Sequence, residues 1–337
     1  MRGHTTTDSN NCGRCGHSCL GAPCSNGACV PTKLAVLVLG TIGVPSGIAV
    51  DATDVFFSSG EYIYHSPLVA TTTPNKTLFD SQNAITALTA SPSTLFYTRY
   101  HYGPDGGDIG AAASVTKDGQ HRLVISPSSW SPREVRTCGQ AICWIDGFQF
   151  PSNIFECSAA PSGCDAPSSF FSTPWPWPLE SIDWDGDNSR VYFADALGLH
   201  WAKFGIGTTD VMAEPGVKVL RYSPVTKRIY WIVEFSNLSG LFSCDPTKCT
   251  TTVVEMMPRA PRLLGRIALD STHVYFTDKR AVSGGVYRCP LAGCDAAPEV
   301  LATPQAGPTN VAVSDQVVAW VDELAEPTAS YVVWVAK

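Results

Sequence analysis

The sequence predicts an all-β protein, a seven-bladed β-propeller closed by an amino-terminal strand and preceded by a small cysteine-rich module. Three observations predict it. A cluster of two apolar residues, or near equivalents, and an aromatic recurs seven times, no helical periodicity is sustained, and thirteen cysteines fall into one amino-terminal group and four close pairs.

The cluster reads Val55-Phe56-Phe57, Leu95-Phe96-Tyr97, Ile142-Cys143-Trp144, Val191-Tyr192-Phe193, Ile229-Tyr230-Trp231, Val274-Tyr275-Phe276 and Val318-Ala319-Trp320. Its first positions lie 40, 47, 49, 38, 45 and 44 residues apart. Spacings of ~40–50 residues, each holding several short strands, belong to propeller blades. An apolar strand opens each copy, as at residues 47–51 and 266–270, and the aromatic cluster forms the second. A third follows, as at 62–64 or 285–288, then a fourth, as at 123–125 or 299–301. The last copy supplies only three strands, ending at 331–335, while residues 33–39 form a strand with no blade of its own. Pairing the two removes an exposed sheet edge. The expected division is a cysteine-rich module over 1–31 and the propeller over 32–337.

Composition narrows the function classes. With 44% hydrophobic and 16% charged residues, the 337-residue chain is neither disordered by composition nor a membrane protein. Its longest apolar run, residues 34–39, falls far short of the ~20 residues of a spanning helix. The net charge of −7 without basic clusters argues against a nucleic-acid partner.

The paired cysteines are Cys138/Cys143, Cys157/Cys164, Cys244/Cys249 and Cys289/Cys294, spaced as bridges across tight loops, where Cα atoms approach to ~5.5 Å. Such usage implies an oxidising compartment, so the protein is expected to be secreted or held at the cell surface. Residues 1–11 are polar and lack a signal-peptide pattern; the signal is expected to have been removed or to lie upstream. The other five cysteines, at 12, 15, 19, 24 and 29, enclose His17 and could hold zinc, but disulfides with one cysteine left over are the expectation.

The segments Asp185-Gly186-Asp187-Asn188-Ser189-Arg190-Val191-Tyr192-Phe193-Ala194-Asp195 and Ser223-Pro224-Val225-Thr226-Lys227-Arg228-Ile229-Tyr230-Trp231 resemble the hairpins of YWTD-type and NHL-like propellers. Those families have six blades, so only the hairpin pattern carries over. The run from Asn11 to Cys19, continuing to Cys24 and Cys29, resembles the small cysteine-rich modules of secreted bacterial proteins of myxobacterial type. These resemblances imply fold and secretion, not an activity.

Candidate functional residues gather in loops expected on one face, between second and third strands and between blades. They are Tyr100, His101 and Tyr102, then Trp130, Phe148, Trp175 and Trp177, beside prolines and a few charges. Rigid exposed aromatics give large contact area at low entropic cost and suit a glycan, a peptide or an aromatic small molecule. Packing of Trp175 and Trp177 between blades is the structural alternative. The expected function is therefore an extracellular binding or recognition scaffold. The alternative is a secreted propeller hydrolase, lyase or isomerase with a site at the central channel mouth, His101 beside Asp105 and Asp108 being its one candidate base. No G-x-S-x-G, HExxH or Walker pattern occurs. No cofactor is expected. A divalent cation in the channel would need a ring of carboxylates, and the acids that follow the aromatic cluster (Asp146, Asp195, Asp278, Asp322) are expected instead to cap backbone NH groups of the loop leaving each strand. The stretch from Asp183 to Asn188 departs from a calcium loop and is expected to be a hairpin turn.

Overall fold

In the computed structural model the described residues are 6–37, 46–69, 75–79, 84–102, 108–129, 131–147, 152–158, 167–172, 178–203, 206–294, 297–326 and 329–337. They form seven four-stranded antiparallel sheets and one two-stranded ribbon (Cys24–Ser25 with Ala28–Cys29). The sheets are blades 1 (48–79), 2 (84–129), 3 (133–172), 4 (181–213), 5 (217–261), 6 (264–305) and 7 (308–336 with Thr32–Leu37). Within blades 1 to 6 the strands lie side by side in chain order. The first strand of each blade touches that of the next, and blade 7 returns to blade 1. The ring closes at seven, as the repeat predicts.

Closure comes from the two ends of the chain. Thr32–Leu37 pairs antiparallel with Ala329–Ala336, Leu34 opposite Val332, with no irregularity in register. The expected strand ran to residue 39; residues 38 and 39 lie outside the described ones. In blades 1 to 6, by contrast, the fourth strand always meets the third with a register shift. Such bulges twist an outer edge away from further pairing.

The core is divided among the blade interfaces. Seven clusters of buried residues occur, one between each adjacent pair of blades. The recurring aromatic is their anchor: Phe57, Tyr97, Trp144, Trp231, Phe276 and Trp320 are fully buried, and Phe193 nearly so. Each such side chain contributes on the order of 2 kcal/mol or more by leaving water. The amino-terminal module joins the cluster between blades 6 and 7 through Cys12, Cys19, Ala22, Cys24 and Cys29.

Each first strand is also a sheet edge, and its free NH and C=O groups need partners. A side chain from the neighbouring blade, or from the strand leading into it, supplies one at every interface. Ser46 Oγ donates to Ile85 O, Thr86 Oγ1 to Pro132 O (2.8 Å), and Thr277 Oγ1 to Thr309 O (2.8 Å). Glu134 Oε2 accepts from Ile182 N (3.2 Å), Asp183 Oδ2 from Tyr222 N (2.7 Å), and Ser239 Oγ from Leu264 N (3.3 Å). Asn310 Nδ2 donates to Ser46 O at 3.0 Å and completes the circle.

The local cysteine pairs bridge as expected at Cys138–Cys143, Cys244–Cys249 and Cys289–Cys294. Cys157 is disulfide-bonded, and Cys164 lies outside the described residues. In the module Cys12 pairs with Cys24 and Cys19 with Cys29, leaving Cys15 free and exposed. The thiols that zinc would need are thus held in disulfides.

Candidate functional site

The repeat sets a rule for the second and third strands of a blade. In blades 1, 3, 5 and 6 the last aromatic of the cluster faces a ring directly across the ladder, and the two stack, whereas in blades 2 and 7 Tyr97 faces Ala113 and Trp320 faces Val333. The pairs are Phe57–Tyr64 (5.4 Å between centroids), Trp144–Phe155 (5.6 Å), Trp231–Phe242 (5.8 Å) and Phe276–Tyr287 (5.6 Å). Cross-strand aromatic pairs of this kind stabilise a sheet beyond their buried area. Blade 4 obeys the geometry but changes the chemistry: Phe193 stacks at 5.1 Å on His200.

His200 lies on the third strand of blade 4, Gly198–Lys203, with both ring nitrogens engaged. Nε2 is 3.0 Å from Asp195 Oδ1, and Nδ1 is 2.9 Å from Asp210 Oδ1. Asp195 ends the hairpin that leaves Arg190–Ala194, and its Oδ1 also accepts from Leu197 N (2.8 Å) and Gly198 N (3.1 Å). Asp210 stands on the fourth strand with its side chain 88% exposed. Burial disfavours the charged forms of both His200 and Asp195. The hydrogen bonds and charges between them outweigh it, so His200 titrates above its ordinary value and Asp195 below. The ring lies between a buried carboxylate and an exposed one, and both favour its protonated form.

This group opens into a cleft of about 410 Å³ where Phe171 of blade 3 meets blade 4. Phe171 and Phe193 (centroids 4.9 Å apart), Leu197 and Met212 form its apolar lining, and Asp195, His200 and Asp210 its polar one. Ligand sites commonly combine apolar walls with a few fixed polar groups in ~300–1,000 Å³. A cleft of about 290 Å³ occupies the corresponding place between blades 5 and 6. There Tyr287 fills the slot of His200, and Asp278 is closed by its own neighbour, Arg280 Nε, at 3.0 Å from both oxygens.

The other recurring acids cap backbone groups as expected, but Asp146 and Asp322 take linker NH groups rather than those of the loop leaving their own strand. Asp146 Oδ1 accepts from Ser131 N (2.9 Å), Asp278 Oδ1 from Leu263 N (3.4 Å), and Asp322 from the Ala306 NH, each just before the first strand of the same blade. Asp185 accepts from Asp187 N, Asn188 N and the Tyr192 hydroxyl, so the calcium-like stretch is a capped hairpin turn.

Of the residues singled out from sequence, Tyr100 is half-buried near the end of the strand Thr94–Tyr102, facing Gly110. His101 and Tyr102 continue that strand, opposite Ile109 and Asp108, where a loop was expected. Trp130, Phe148, Trp175 and Trp177 lie outside the described residues, as does Asp105. The sequence reading missed His200 and Asp210; the signal was a polar ring in a register that four other blades fill with Tyr or Phe.

The sequence matches no protein-family profile and no curated protein. Solved structures share the fold. The β-propeller domain of the Trilobed protease from Pyrococcus furiosus, described as having an open velcro topology, is similar at a TM-score of 0.61 and 11% identity, over 87% of this chain and 95% of that one. The AfRom2 CNH domain is similar at 0.58 and 11%, over 91% and 99%. The WD40 domain of Toxoplasma gondii coronin follows at 0.57 and 11%, over 90% and 84%. A prolyl endopeptidase is matched at 0.58 and 12%, over 84% of this chain but 47% of that chain. At these identities the likeness is one of fold.

Proposed function

We propose that the protein is an extracellular recognition scaffold whose blade-4 cleft binds a glycan or peptide ligand. The observation that carries this reading is the departure of blade 4 from its own repeat. A titratable ring flanked by two carboxylates stands where four other blades place a plain aromatic. The stacked pair stabilises a blade equally well with Phe or Tyr, so the histidine answers a need other than packing. Phe171 and Phe193 suit the apolar face of a sugar or an aromatic side chain, while Asp210 offers an exposed acceptor at the rim. Trp175 and Trp177, singled out from the sequence, are proposed to take part in recognition.

Several disulfides in one chain support an oxidising compartment, and among the described residues no helix is long and apolar enough to cross a membrane. The enzyme alternative is less well supported in this cleft, because both nitrogens of His200 are committed to carboxylates and neither is free to take a substrate proton.

Glycan and peptide arrays probed with wild type and with His200→Phe, Trp175→Ala and Trp177→Ala test the reading. Binding that is lost in these variants while each remains cooperatively folded under the assay conditions supports it. Array ligands bound equally by wild type and His200→Phe would place recognition elsewhere.

A further inference from the structure

The cleft between blades 5 and 6 repeats the plan of the blade-4 cleft with the opposite charge. Both lie where the fourth strand of one blade meets the second and third strands of the next. In blade 4 one imidazole stands between two carboxylates. Between blades 5 and 6 the lining carries two guanidiniums, Arg262 and Arg280, and one carboxylate, Asp278.

That carboxylate is already satisfied. Arg280 Nε lies 3.0 Å from both of its oxygens and Nη2 lies 2.7 Å from Oδ2, while Oδ1 also accepts from Leu263 N. The cations next to these in sequence are matched too, Arg259 with Glu214 and Lys279 with Glu234. Arg262 is different. Its Nη1 meets the weakly accepting sulfur of Met257, at 3.9 Å, and among the described residues no carboxylate pairs with it. Its backbone is held on both sides: the NH donates to Ala260 O (2.7 Å), and the carbonyl accepts from Ser239 Oγ (2.9 Å). A half-buried guanidinium is thus fixed at the cleft with its charge uncompensated. Such a group gains from an anion that restores the hydrogen bonds it gave up on leaving water.

Two further features define what fits. The Tyr287 ring stacks on Phe276 at 5.6 Å, and among the described residues its hydroxyl makes no hydrogen bond. Gly285 leaves the room that this hydroxyl occupies, since a Cβ there would lie 2.7 Å from it. Pro261, Pro298 and the Tyr287 ring supply accessible apolar surface. The volume of about 290 Å³ stands at the small end of the ~300–1,000 Å³ of ligand sites, and suits a single residue better than a sugar chain.

We propose that this cleft binds a peptide through a carboxylate, held by Arg262 and by the Tyr287 hydroxyl, with the adjoining apolar group against Pro261 and Pro298. The fork of a guanidinium matches the two oxygens of a carboxylate. The site is separate from the blade-4 cleft and does not depend on it.

Met257 lines this cleft and touches Arg262, whereas Met212 lines the blade-4 cleft, so methionine methyl NMR of the full chain reads the two separately. The probes are N-acetylphenylalanine, its amide, and N-acetylglutamate α-amide, all at one ionic strength. The Met257 methyl should shift saturably with a carboxylate probe and not with N-acetylphenylalanine amide. A response to N-acetylphenylalanine places the carboxylate at a chain terminus; a response to the glutamate probe alone places it on an acidic side chain. Arg262→Gln should weaken binding about tenfold, the loss of one charge-assisted contact. Tyr287→Phe, which keeps the stack on Phe276, should weaken it by a smaller factor, and His200→Phe should leave it unchanged. Absence of a saturable Met257 shift with either carboxylate, equal binding of the amide, or unchanged affinity in a folded Arg262→Gln variant would overturn the proposal. Should that variant not fold, unchanged affinity in Tyr287→Phe would do the same.

Discussion

Replacing His200 by Phe restores the ring that the repeat places in this slot, so the stack on Phe193 survives and only the charge is removed. The buried Asp195 then loses its partner but keeps two backbone donors, at 2.8 and 3.1 Å. The contact with Asp210 contributes ~0–1 kcal/mol, because that carboxylate is exposed. The charged hydrogen bond to Asp195 contributes about 1.5–3 kcal/mol. His200→Phe should therefore cost about 2 kcal/mol near pH 6. The pH dependence follows from the two shifts. His200 is raised, so its contribution is complete below about 6.5 and is lost as pH climbs through the higher folded value. Asp195 is lowered, so its share holds above about 3.9 and disappears as pH falls through its folded value. Urea unfolding of wild type and variant at pH 5.5, 7 and 9 should show a difference largest at acid pH and smallest at pH 9. A difference independent of pH, or a more stable variant at pH 5.5, would refute the reasoning.

Leu34→Ala in the closing strand should cost about 2–4 kcal/mol, since the side chain is fully buried between blades 7 and 1, and urea midpoints would measure it. Asp270 accepts from Thr272 N, His273 N and the Tyr275 hydroxyl, each at 2.7 Å, and pairs with Lys337. Burial opposes its charge, these partners outweigh burial, and its carboxyl lies well below the usual range. It thus stabilises the fold above about pH 4, a contribution lost on further acidification, and Asp270→Asn should flatten the acid limb of the unfolding curve. Asp183 has the opposite sign: raised to about 6, it destabilises the fold at neutral pH and stops doing so as pH falls. Asp183→Asn should therefore gain about 1 kcal/mol at pH 7.5, after discounting for its partial exposure, and nothing at pH 4.

How far the sequence carried differs between fold and site. The seven clusters were legible because the second strand is buried on both faces, so every copy must spend apolar and aromatic residues there, whatever its loops do. The clasp was legible because the last copy lacks a fourth strand and residues 33–39 lack a blade. That the recurring acids cap backbone groups followed from their register, but which groups did not: Asp146 and Asp322 reach the linker before their blade's first strand. His200 was hidden by hairpin length. The ring that stacks on the cluster lies seven residues on in blades 1 and 4 but eleven on in blades 3, 5 and 6, so no fixed spacing exposes the exception.

The claim that blade 4 holds the ligand can be read directly from the imidazole of His200. In a titration with the strongest array ligand, followed by NMR of the histidine ring nitrogens, the His200 signals should move in step with saturation as ligand groups reach the ring or Asp210. Those of His273, on blade 6, should stay in place. Saturation of binding with the His200 resonances unmoved would contradict the account.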